Sequence, residues 1–221
     1  MLSRRVSRHE AEDLSTQRIE AFSDGVFAIA ITLLILELRV PEGNESGHHL
    51  SLSASLLSLW PSYMAYILSF VMVGIYWANH HFVFKLYKGT NHTFNLLNVF
   101  FLMCISFLPF PTSVLGKHLQ DIGDEKTAVA FYSFGLLLPA LSWMIMWIYA
   151  SKGYRLIDKR LAPHFVKYMT MQYIVSCILY TLALLASFIS PKFGLGIAIC
   201  LTLLYLMPPK RPEYQEAEGE A

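Results

Sequence analysis

Apolar residues in this chain run in long blocks separated by short polar stretches, with neither the two-residue alternation of strands nor the half-polar faces of soluble helices. Four blocks carry no charged residue and are long enough to cross a bilayer: Leu56 to Asn79, Phe94 to Leu115, Ala128 to Ala150 and Tyr168 to Ser190. A fifth, Phe193 to Met207, is short and stops at Pro208 and Pro209. The earliest apolar run, Gly25 to Leu36, covers only about 18 Å of a hydrocarbon layer roughly 30 Å thick. To span, it must draw Asp24, Ser23 and Phe22 into the membrane with it. The pattern predicts an all-α, polytopic membrane protein with six transmembrane helices in one domain, residues 18–207. A polar arm (1–17) and a polar, acidic tail (208–221) flank it.

That first span, RIEAFSDGVFAIAITLLILEL from Arg18 to Leu38, carries a carboxylate within a turn or two of the membrane boundary. An ionisable residue at such a depth marks a functional site by default. At about 100° per residue, Ile29, Leu33 and Leu36 share one stripe, with Thr32 at its edge. Asp24 and Ser23 point away from it on opposite flanks, so one helix can show an apolar stripe to one neighbour and its acidic end to others.

Prolines punctuate the later blocks. Pro61 falls where a second helix beginning near Leu56 tolerates it, Pro109 and Pro111 should bend or end the third, and Pro139, four residues after Gly135, should kink the fourth. The segment SKGYRLIDKRLAPH is basic and amphipathic, and reads as a loop lying at the lipid headgroups. Ser190-Pro191-Lys192 makes a tight hairpin between the fifth and sixth helices. PEGNESGHH, after the first, is a turn whose Glu42 and Glu45 read as solvated loop charges.

Composition agrees: 55% of residues are hydrophobic and 15% charged, where soluble domains carry about 25% charged. Of the 17 basic residues, 13 fall on one side if the N-terminus is cytoplasmic, against Arg39, Lys117, Lys126 and Lys192 on the other. Positive charge stays inside, so both termini are expected in the cytoplasm of a multi-pass cell-membrane protein. No A-x-A-like site follows Leu38, so the first span is expected to stay in the mature protein. A net charge of +1 without a separate basic face excludes nucleic acid as a partner and leaves membrane lipids. Cys104, Cys177 and Cys200 have no paired spacing and read as buried small hydrophobes.

Helix one starts, helix two ends and helix three starts on the same side, so Ser23 and Asp24, Trp77, His80 and His81, and Asn95 and Asn98 share a depth. Trp77 with His81, at i, i+4, and Asn95 with Asn98, at i, i+3, each share a face. Indole, imidazole and amide groups can satisfy a buried carboxylate, and Arg18 can pair with Asp24 or with a lipid phosphate. One account makes this a structural network that locks three helices, the ordinary glue of membrane bundles. The other makes it a proton relay, because histidine titrates near neutrality. Adjacent His80 and His81 lack the i, i+4 spacing of a zinc helix, so no metal is assigned, and no catalytic pair for an enzyme is present.

Arg18-x-x-x-Phe22-Ser23-Asp24, YWANHH from Tyr76 to His81, and NLLNVFFLMCISFLPFPTSVLG from Asn95 to Gly116 resemble the first three helices of the transmembrane protein 175 family of lysosomal and bacterial potassium channels. The resemblance implies that helix one lines a pore at the axis of a homotetramer and that Ile29, five positions after Asp24, forms its narrowest ring. It also supplies potassium as the transported ion; no cofactor is implied. The chain has no TVGYG-like filter, so selectivity is expected from a hydrophobic constriction at Ile29, Leu33 and Leu36, with a Thr32 hydroxyl ring. The expected function is a passive potassium leak. The alternative is a proton channel or proton-coupled carrier using Asp24 and His81.

Overall fold

In the computed structural model the chain is a bundle of helices; the structure describes residues 8–39 and 51–215, with side chains from residue 16 onward. Helix α1 spans Arg8–Leu33 and tightens into a 3-10 turn at Leu34–Glu37. It therefore contains residues on both sides of the boundary expected at 17. The expected turn with Glu42 and Glu45, the first seven residues and residues 216–221 lie outside the described residues.

The second block divides into α2 (Leu52–Ser58) and α3 (Trp60–Phe84). Membrane-length helix therefore begins at Trp60, not at Leu56. Pro61 sits in the first turn of α3 and cannot continue a helix from α2, because its ring would meet the carbonyl of Leu57. The third block likewise breaks at Pro109 into α4 (His92–Phe107) and α5 (Pro109–His118). Helix α6 (Glu125–Ser151) keeps Pro139 inside it, and Gly135 is where α5 presses in: a Cβ there would lie 3.1 Å from Pro111 Cβ. Helices α7 (Pro163–Ile189) and α8 (Pro191–Tyr205) meet at Ser190 alone, the expected hairpin.

Among the described residues, five helical stretches are long and apolar enough to cross a membrane: 16–37, 60–84, 92–118, 125–154 and 163–189; α8 is shorter. Among the described residues there is no strand, only two isolated bridges, Tyr87 with Ile157 and Leu161 with Tyr214. Helix α6 forms the centre, with 67% of its apolar window buried against 22% for the first span. Around it an aromatic core includes Tyr76, Phe84, Phe101, Trp143 and Trp147. Helix α1 packs on α3 and α4 at one flank, and the α7/α8 hairpin packs on α6 at the other.

The two bridges gather three segments at one end of the bundle, called here the basic end. The Lys88 amide donates to the Leu156 carbonyl and the Asp158 amide to that of Leu86, both at 2.8 Å, while Ala162 and Gln215 bond residues Glu213 and Arg160. In the 152–162 loop Ile157, Leu161 and Asp158 are buried against the chain itself, whereas Lys152, Arg155, Lys159 and Arg160 are exposed. Residues 213–215 of the tail are likewise bound, not free. Cys104 and Cys177 are buried as expected, whereas Cys200 is exposed on α8.

Candidate functional site: the first helix and its polar anchors

Helix α1 has two distinct faces. Ser23, Phe27, Ala30 and Leu34, spaced four, three and four residues apart, are all buried. The other side presents Phe22, Ile29, Leu33 and Leu36 to the exterior of the protomer, with Ile29 62% and Leu36 67% exposed. Leu33 and Leu36 lie in line because the helix tightens over Leu34–Glu37, where residues three apart eclipse. Thr32 is exposed beside them, its hydroxyl donating to the Ala28 and Ile29 carbonyls at 2.9 Å. Its proton is committed to its own helix, and its oxygen lone pairs remain able to accept.

The buried face is anchored by a hydrogen-bonded chain across three helices. Asn98 Nδ2 of α4 donates to Ser23 Oγ at 3.0 Å, and Ser23 Oγ donates in turn to the Ile19 carbonyl at 2.8 Å. The remaining acceptor, Asn98 Oδ1, lies 3.2 Å from His80 Nε2 of α3, so that ring nitrogen carries the proton. His80 is 1% exposed, stacked on Phe84 at 3.9 Å and met edge-on by Phe27.

Asp24 does not belong to this chain of bonds. Its Oδ1 accepts from Trp77 Nε1 at 3.0 Å, a separate contact on the exposed side of the helix pair. The expected single network around a buried carboxylate is therefore two arrangements, and in the protomer Asp24 is exposed. His81 is exposed and joins neither. Asn95 does not join Asn98; its Oδ1 is buried without a hydrogen-bond partner. Arg18 is exposed and forms no ion pair with Asp24 among the described residues.

Glu20, which the sequence reading passed over, is half-buried and within electrostatic reach of His81, Asp24 and Lys85. Its spacing one turn before Asp24 was the available signal. Asp158 was missed too: buried in the 152–162 loop, it accepts from the Arg160 amide at 2.9 Å and from the Arg160 guanidinium at 3.2 and 2.8 Å. Lys88 stands 3.8 Å away. Among the described residues, the side chains that could share a metal ion are His118, Asp121 and Asp124, at the opposite end of the bundle from the anchors.

The model of the endosomal/lysosomal potassium channel TMEM175 family matches residues 18–109, the part that holds α1 from Arg18 onward and both arrangements. A potassium channel of Chamaesiphon minutus is 39% identical over 196 residues, covering 89% of this chain and 96% of that protein. The crystal structure of a lysosomal potassium-selective channel TMEM175 homolog from the same organism superposes with a TM-score of 0.78 at 39% identity, over 86% of this chain and 96% of that one. The endosomal/lysosomal proton channel TMEM175 of Gallus gallus is 38% identical over 124 residues, 54% of this chain but 25% of that protein.

Fold and comparisons define the class: a multi-pass helical membrane channel, not an enzyme. The chain belongs to the TMEM175 family.

Proposed function

We propose that this chain forms a passive, potassium-permeable cation channel whose constriction is built on α1 at Ile29, with Thr32, Leu33 and Leu36 lining the passage beyond it. The observation that carries this reading is the outward apolar stripe on a helix whose opposite face is fixed by Ser23, Phe27, Ala30 and Leu34. The resemblance assigns the pore lining to α1, which occurs once per chain, so a pore lined by it requires several copies around an axis, and we take four. Residues 18–207 form the channel domain, with Pro191–Tyr205 as a sixth, short span. The arm 1–17 and the tail 208–221 are then both cytoplasmic in a cell-membrane protein, a placement supported by the basic residues Lys85, Lys88, Lys152, Arg155, Lys159 and Arg160 at the basic end.

A ring of aliphatic side chains offers no oxygen to replace lost hydration, so an ion sheds water or crosses a partly dewetted neck there. The larger and less tightly hydrated potassium ion loses less by this than sodium does. Asp24, Trp77, His80 and Asn98 act in this reading as the structural frame that sets the angle of α1, with Ser23 as its inner anchor, while Arg18, Phe22, His81 and Asn95 stand outside those bonds.

The alternative of proton conduction through Asp24 and His81 takes support from the likeness to the proton channel TMEM175 of Gallus gallus. Against it, His81 shares no hydrogen bond with Asp24, and Asp24 accepts from the Trp77 indole, which has no second site to pass a proton on. Reversal potentials of the purified protein in planar bilayers under opposed potassium and sodium decide the matter. A potential displaced toward potassium and insensitive to a pH gradient is expected; one that follows the pH gradient would replace this reading with the proton one.

A further inference from the structure

Helix α8 has 15 residues and so reaches about 22 Å, roughly 8 Å less than the hydrocarbon layer. Beyond Tyr205 the chain continues as Leu206-Met207-Pro208-Pro209, whose prolines leave fewer amide donors unsatisfied at that depth. Where α8 stops, α7 loses its neighbour, and a groove of about 450 Å³ opens between them toward the basic end. Its α7 wall is one helical face, Tyr168, Met171, Gln172, Val175 and Leu179. That face is about 16 Å long, about the depth of hydrocarbon in one leaflet. Leu204 of α8 faces it.

The mouth and floor of this groove are polar. Lys210 lines the mouth, its Nζ held 5.3 Å above the Tyr168 ring and 2.7 Å from Glu213. Lys167 and Arg211, both exposed, adjoin Tyr168 and Lys210 in the chain, so among the described residues three cations stand against the Glu213 carboxylate. One turn deeper, Gln172 Oε1 is buried without a hydrogen-bond partner. Gln172, Tyr205, Met207 and Pro209 also border a smaller cavity of about 50 Å³ that continues into the bundle toward Tyr76 and Trp143.

We propose that the α7/α8 groove is a binding site for an anionic glycerophospholipid of the leaflet at the basic end. Its phosphate lies at Lys210, an ester carbonyl accepts from Gln172 Nε2, and one acyl chain runs along Val175, Leu179 and Leu204. The charge selects the headgroup and the length selects a whole acyl chain, which a soluble anion would leave empty.

The test is photolabelling of the full chain in phosphatidylcholine vesicles containing a minor fraction of phosphatidylglycerol with a diazirine on its acyl chain, read by peptide mass spectrometry. Label is expected on Val175, Leu179 and Leu204 in several-fold excess over Leu185 and Phe188, which are exposed on α7 and turned off the groove's face. Lys210→Gln should weaken the phosphatidylglycerol label about fivefold, the worth of one basic residue near a membrane surface, and leave the label from a diazirine phosphatidylcholine unchanged. Val175→Trp, which fills the groove, should abolish the excess. Label spread evenly over the exposed apolar residues would overturn the site. Displacement of the label by inorganic phosphate would overturn the lipid as its ligand. Because the label is read on the wild-type chain, misfolding of a variant does not rescue the proposal.

Discussion

Asn98 Nδ2 lies 3.0 Å from Ser23 Oγ, 75 residues away in sequence, and through this bond α4 holds the inner face of α1. The Asn98 carboxamide is buried and spends both its ends, one on Ser23 and the other on His80. Asn98→Leu should therefore orphan the His80 N–H in the core, at about 1–3 kcal/mol. Asp24→Ala removes one contact at an exposed carboxylate and should cost the protomer less. Thermal unfolding in detergent, scored beside oligomer yield, measures the order; an Asp24→Ala loss equal to that of Asn98→Leu would mean that Asp24 is buried between subunits.

The α7/α8 hairpin supplies an internal control on close packing. A Cβ at Gly194 would stand 2.8 Å from the Ser187 backbone, whereas one at Gly196 meets nothing within 4 Å. Gly194→Ala should push the two helices apart and cost about 1–3 kcal/mol, as overpacking does. Gly196→Ala should be neutral or slightly stabilising, because alanine loses less freedom in a helix. Paired melting curves check this, and equal shifts for the two variants would deny the close approach.

The helices were legible because membrane spans announce themselves through uninterrupted apolar length, and so was the face of α1, since Ile29 and Leu36 are exposed where periodicity put them. Hydropathy could not show where helices restart. Pro61 ends one helix and opens another, which a reading of apolar length alone merges into a single span. Common depth brought Ser23, Asp24, His80 and Asn98 to one level but could not sort them into two arrangements, because that depends on which side of α1 each neighbour occupies. The docking of Asp158 was invisible, for a lone acidic residue in a basic loop looks like any solvated charge until Leu86 and Arg160 fold around it.

Asp158 makes that docking sensitive to acid. The Arg160 guanidinium, with the Arg160 amide and Lys88, holds its carboxyl below the usual value despite the cost of burial. A carboxyl lowered in the folded state contributes its full stabilisation above its ordinary value and loses it as pH falls through the depressed one. The 152–162 loop should therefore stay docked at neutral and mildly acidic pH and loosen only in stronger acid. Asp158→Asn should be looser at neutral pH and show no such step. Hydrogen exchange at the Lys88 and Asp158 amides, corrected for the intrinsic rate, follows the transition; a wild-type step near neutrality would assign the coupling to a histidine instead.

Ile29 carries the last and sharpest expectation. It is 62% exposed on a helix packed through its other side, so polar replacement removes little packing within the protomer. Its β-branch makes χ1 stiff, and in a symmetric assembly four such side chains would hold a narrow aliphatic aperture. An ion at that ring meets no oxygen, so the barrier should fall when the ring becomes small and polar. Ile29→Ser is expected to raise single-channel conductance and to reduce the preference for potassium over sodium. Leu182→Ser, a comparable change at an exposed residue of α7, should do neither. If Ile29 instead packs between subunits away from the axis, the serine variant will assemble poorly and its surviving channels will conduct as the wild type does. Recording from assembled protein separates the two: unchanged conductance and selectivity would remove Ile29 from the pore and leave α1 as a lateral contact between chains.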